Sequence, residues 1–94
     1  MSIAIFGGLD RLKRIYEKTG KDLGYRVRFF TRRVPDMSKR LSGIDGIVVF
    51  TGTVSHPLVK EVVSLAKLYN IPVSRSHTSS ASGLKRCLGE LETA

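Results

Sequence analysis

Four consecutive apolar residues, Ile47-Val48-Val49-Phe50, stand between Gly46 and Thr51-Gly52 with no polar residue among them. The run is too short and too rich in β-branching for a helix, and a strand with no polar alternation must be buried on both faces. Burial on both faces is what a parallel sheet between two layers of helices provides, so this strand is expected at the centre of an α/β sheet. Ile3 to Phe6, ending at Gly7-Gly8, repeats the pattern near the start of the chain.

Segments of helical period separate the strands. Leu12, Ile15, Tyr16, Thr19 and Leu23 recur at helical spacing, with Arg11, Lys13, Arg14, Glu17 and Lys18 turned outward. Asp10 is placed to cap that helix and Gly24 to end it. Tyr25 to Thr31 alternates Tyr25, Val27 and Phe29 against Arg26, Arg28 and Phe30, the signature of an edge strand, and runs on into Arg32 and Arg33. Asp36 to Leu41 forms at most a short helix stopped by Ser42-Gly43. Pro57 opens a longer helix with Val59, Val62, Val63, Ala66 and Tyr69 inward, and Asn70 closes it. A fourth strand begins at Ile71-Pro72-Val73; Ser74 to Ser80 is a polar loop; Leu84, Cys87, Leu88 and Leu91 mark a last helix.

The order is β-α-β-α-β-α-β-α. Right-handed crossovers turn it into a small three-layer α/β sandwich, Rossmann-like, with a four-stranded parallel sheet in the order 2-1-3-4. At 94 residues there is room for one domain, residues 1–94, and its core is small enough that pairing into a homodimer would stabilise it. Hydrophobic residues at 41% and charged residues at 26% are an ordinary globular balance. The single Cys87 forms no internal disulfide, and the opening apolar run meets glycine too soon for a signal peptide or membrane span, so a cytoplasmic protein without membrane insertion is expected.

Chemistry in such a sheet belongs at the carboxyl ends of the strands, where successive connections leave on opposite faces, here between the first and third strands. Gly7-Gly8 lets backbone amides approach an anion at a helix start, or is a plain tight turn. Its spacing matches neither the dinucleotide fingerprint nor a nucleoside-triphosphate loop. Thr51-Gly52-Thr53-Val54-Ser55-His56-Pro57 sets hydroxyls, a glycine and an imidazole before a helix N-terminus; Ser55 reads as ligand or as N-cap, and His56 as ligand-facing or as a buried, satisfied histidine. Arg75, Ser79 and Ser80, on the loop after the fourth strand, and Arg33, at the end of the second, complete the candidate ligand-binding set, arginine being suited to phosphate or carboxylate. His56, His77 and Cys87 lack metal-ligand spacing, and no catalytic residue set is recognisable.

Ile3 to Gly8, Thr51 with Ser55-His56, and Ile71-Pro72-Val73 with Ser79-Ser80 together resemble a small bacterial family known as domain of unknown function 2325. That resemblance implies the parallel α/β fold and a polar site around these loops, and no established activity. The chain departs from the family where the second strand usually ends in a His-His-Asp-Gly-Gly type of segment, having Phe29-Phe30-Thr31-Arg32-Arg33 instead. Arginines in place of histidines and an acid favour a more anionic ligand or partner.

Sixteen Lys and Arg against eight Asp and Glu give a net charge of +8, which attracts phosphorylated small molecules and nucleic acid alike. A binding or regulatory module for a phosphorylated or nucleotide-like anionic small molecule is the first expectation, with its cofactor unknown. A basic protein binding nucleic acid without sequence preference is the alternative, although three Tyr, four Phe and no Trp give little stacking surface. Hydrolase or transferase chemistry through His56 comes last.

Overall fold

The computed structural model describes residues 1–30 and 35–93. Four strands, β1 (Ser2–Phe6), β2 (Arg26–Phe30), β3 (Gly46–Phe50) and β4 (Val73–Ser76), form one sheet in the order β2-β1-β3-β4, every neighbouring pair parallel. The helices are α1 (Lys13–Asp22), entered through a 3-10 turn at Asp10–Leu12, then α2 (Met37–Arg40), α3 (His56–Leu68) and α4 (Ala81–Glu92). Ile47 to Phe50 are fully buried, as a doubly covered central strand requires.

Alternation along the strands divides the core. Ile3, Ile5, Val48 and Phe50 meet Tyr16 of α1 and Leu84, Cys87, Leu88 and Leu91 of α4. Ala4, Phe6, Ile47 and Val49 meet Met37 of α2 and Leu58, Val62 and Ala66 of α3. The sheet is therefore the middle of three layers. Connections after β1 and β3 leave on opposite faces, which places the switch point between these two strands.

Some expectations about which residues face inward need correction. Ile15 and Leu23 are about half exposed, at 46% and 47%, while Tyr16, Thr19 and Gly20 make the buried face of α1. Gly20 explains the rotation: a Cβ there would stand 2.3 Å from Val27 Cγ2, so a bare backbone lets the helix lie close against β2. Asp10 caps nothing with its side chain and sits inside the 3-10 turn, whereas Gly24, at φ +86°, does terminate α1. On α3, Leu58 replaces Tyr69 in the buried stripe; Tyr69 lies past the last turn and is exposed.

The fourth strand also begins and ends later than its apolar residues suggest. Ser74 to Ser76, expected in a loop, are strand residues paired with Val48 to Phe50. Ser74 and Ser76 point inward under α4 because each hydroxyl has an acceptor, the Glu90 carboxylate for Ser74 and the Thr78 carbonyl, at 2.8 Å, for Ser76. The Ser74 hydrogen bond, together with the neighbouring Arg86 guanidinium, holds the Glu90 carboxyl below its ordinary pKa. Cys87 is buried in the core.

Candidate functional site

Three loops meet above the switch point, and Thr53 ties them together. Its Oγ1 accepts the Gly8 N–H at 2.7 Å and lies 3.2 Å from both the Phe50 carbonyl oxygen and Ser79 Oγ, so its single proton serves one of the two. Tyr16, reaching up from α1, adds a second tie: its hydroxyl accepts the Leu9 N–H at 3.2 Å and donates to the Ser79 carbonyl. Being 1% exposed, this hydroxyl holds two chain segments together away from water. Tyr16→Phe is expected to cost about 1–3 kcal/mol, because the Leu9 amide and Ser79 carbonyl lose their partner. Urea denaturation measures the loss; an unchanged midpoint would remove the hydroxyl from this role.

Gly7 and Gly8 do a different job from cradling an anion. The Gly7 N–H donates to the Phe30 carbonyl at 2.9 Å, so Gly7, Gly8 and Leu9 all spend their amides inside the protein. Both glycines have positive φ, +91° and +98°, and a Cβ on Gly7 would meet Thr53 Oγ1 at 2.6 Å. Their bareness serves the packing of one loop on the next. Beneath them the space lined by Gly7, Gly8, Tyr16 and Phe29 amounts to ≈ 10 Å³, no more than a single water needs. A ligand at this end of the sheet must rest on the rim.

That rim is polar. Ser55 Oγ accepts the Leu58 N–H at 3.3 Å and Ser80 Oγ accepts the Gly83 N–H at 3.0 Å, so both serines are N-caps, of α3 and α4. His56 is the first residue of α3 and is exposed, which disposes of a buried histidine. Thr51 is half-buried, its N–H given to the Ser76 carbonyl at 2.9 Å. Gly52 is pressed against the following loop, since a Cβ there would stand 2.5 Å from the His77 carbonyl oxygen and 3.6 Å from His77 Nδ1.

Arg75 is exposed and, being on β4, projects to the face opposite Ser74 and Ser76; its carbonyl accepts from Arg86 at 3.0 Å. Arg33 lies outside the described residues. The structure thus brings Gly8, Thr53 and Ser79 into one hydrogen-bonded knot, sets His56 and Ser80 on the rim at two helix starts, and leaves Arg75 at the sheet edge beside it. His77 and Tyr16 are the residues missed by sequence reasoning. For His77, only the glycine at position 52 hinted at a close neighbour; for Tyr16, the helical stripe concealed a polar role.

Neither loop 51–56 nor loop 74–82 contains an Asp or Glu. Among the described residues no three His, Cys, Asp or Glu side chains gather to hold a metal ion, and no helix is long and apolar enough to cross a membrane.

A family model described as "Uncharacterized protein conserved in bacteria (DUF2325)" matches residues 2–91. Among solved structures, a de novo designed Rossmann fold protein superposes with a TM-score of 0.64, covering 98% of this chain and 97% of the design at 17% identity, a likeness of fold alone. No curated protein matches the chain.

Proposed function

We propose that this chain, which belongs to the DUF2325 family of uncharacterized proteins conserved in bacteria, is a non-enzymatic binding and regulatory module for a phosphorylated or nucleotide-like anionic small molecule. The observation that carries the reading is the make-up of the rim: loops 51–56 and 74–82, locked together at the carboxyl ends of the strands and free of carboxylates, offer His56, His77, Arg75 and a group of hydroxyls. Such a surface has donors and positive charge where an anion needs them, and the acid of the first loop, Asp10, is held in the 3-10 turn before α1. With ≈ 10 Å³ of space beneath the glycines, the rim suits the phosphate end of a ligand better than engulfment of a whole molecule.

A hydrolytic reading has less support. Ser55 Oγ is committed to the Leu58 amide, and neither loop supplies a carboxylate to orient His56. Isothermal titration calorimetry with inorganic phosphate and with nucleoside mono-, di- and triphosphates, at constant ionic strength, tests the proposal. One of these ligands is expected to bind, and Arg75→Ala and His56→Ala are each expected to weaken it about tenfold, the scale of one lost charged or polar contact. Absence of heat with all of them, or full affinity in both variants, would reject the rim as a binding site.

A further inference from the structure

The positive charge is unevenly placed. Eleven of the sixteen Lys and Arg fall in residues 1–50, against five of the eight acids. Within the described residues, α1 and β2 carry Lys13, Lys21, Arg26 and Arg28 along one edge of the sheet. Val27 and Phe29 turn toward α1 and the core, so Arg26 and Arg28 alternate to the other face of an edge strand whose outer side pairs with no strand among the described residues.

The two elements converge on a groove of ≈ 530 Å³ lined by Glu17, Lys21, Tyr25, Arg26, Val27 and Arg28. Farther along, Lys13 Nζ stands 5.4 Å above the Phe29 ring, so α1 delivers a cation at each end of β2. Among the described residues, the ion pairs are Lys18–Asp22 and Arg86–Glu90, which leaves Lys13, Lys21, Arg26 and Arg28 unpaired there. Glu17 is the single acid in the groove lining.

We propose that this edge is a docking strip for the phosphodiester backbone of nucleic acid, separate from the rim and independent of it. Length and charge fit that partner. From Lys13 to Lys21, α1 advances about 12 Å, and each nucleotide of a DNA strand adds about 3.4 Å of rise along the duplex axis. The strip therefore sets four cations beside a run of phosphates of one strand. The four side chains named are Lys and Arg, so the contact proposed is to the backbone.

Fluorescence anisotropy of a short labelled duplex, titrated across salt concentration, tests the strip. Four phosphate contacts predict a slope of log affinity against log salt of about −3 to −4, or roughly a hundredfold loss between about 50 and 200 mM salt. The double variant Arg26→Thr/Arg28→Thr, which keeps residues suited to an edge strand, should cut that slope by about half and the low-salt affinity by about tenfold or more. Lys21→Gln should shift both the same way by less. Lys60→Gln/Lys67→Gln, which removes two exposed charges from α3, should change little.

No duplex binding at low salt, equal losses in both double variants, or tighter binding to anionic phosphatidylserine vesicles than to the duplex would overturn the proposal. Arg26 and Arg28 would then serve only to guard the edge against pairing with other chains. Arg26→Thr/Arg28→Thr should leave small-phosphate titrations intact, and Arg75→Ala should leave duplex binding intact, so failure of one site does not imply failure of the other.

Discussion

Phe50→Ala is expected to cost about 3–5 kcal/mol, the range for a large aromatic removed from a well-packed core. A domain of this size has about 5–15 kcal/mol in total, so the variant should sit close to its unfolding transition at room temperature. Phe50 ends the central strand, is fully buried, and lies 5.3 Å from the Tyr16 ring, tilted by 36°. Its ring also passes under the first loop, since a Cβ on Gly8 would be 3.4 Å from Phe50 Cδ2. Removing it opens a cavity directly beneath the knot of Gly8, Thr53 and Ser79, and Tyr16 loses the surface that steers its hydroxyl. Urea denaturation followed by circular dichroism gives the loss. Phe29→Ala, half-buried on the edge strand, should cost clearly less; a Phe50 loss below about 1 kcal/mol would mean that the cavity collapses freely.

The second large effect is expected at Gly7. Alanine there is opposed twice, once by a φ of +91° that a side chain rarely adopts and once by contacts of 2.6 Å to Thr53 Oγ1 and 2.7 Å to Val54 Cγ1. Relief requires Thr53 to move, and with it the acceptor of the Gly8 amide. A loss of about 3 kcal/mol is expected, combining backbone strain of about 1–2 kcal/mol with overpacking. Gly24→Ala separates the two parts. Gly24 has a similar φ, +86°, with nothing within 4 Å of a Cβ, so it should show the strain alone, about 1–2 kcal/mol. Thermal unfolding of both variants decides the matter: equal losses would show that the close fit between the loops contributes nothing.

Loop packing and anion recognition make opposite demands on the same glycines. A pair that approaches a ligand must keep its amides free, whereas a pair that clamps a neighbouring loop uses them. Gly7 and Gly8 belong to the second kind, which moves the proposed ligand outward to His56, Arg75, His77 and the serines. The basic edge stands on the far side of the sheet order from β4, so the two proposed surfaces can be mutated separately.

What could be read from the residues alone was whatever has a local cause. Ile47 to Phe50 had to be a doubly buried strand because an unbroken apolar run has no polar face to give to water. The helices showed their period, Gly24 and Asn70 marked their ends through the left-handed conformation they adopt, and the handedness of crossovers led from element order to strand order. Ser55 as a cap was equally local, three residues from its partner. Tertiary structure decided the rest, where the cause lies far away in the chain. Ser74 and Ser76 read as loop until Glu90 and Thr78 accept their hydroxyl protons, and Ile15 read as core until Gly20 sets α1 against Val27. Whether Gly8 offers its amide to a ligand or to its own chain rests on Thr53, 45 residues on, and the task of the Tyr16 hydroxyl on Ser79, 63 residues on. Composition and period carry no record of such pairings, because a donor's partner is chosen by which loops the packed sheet brings together.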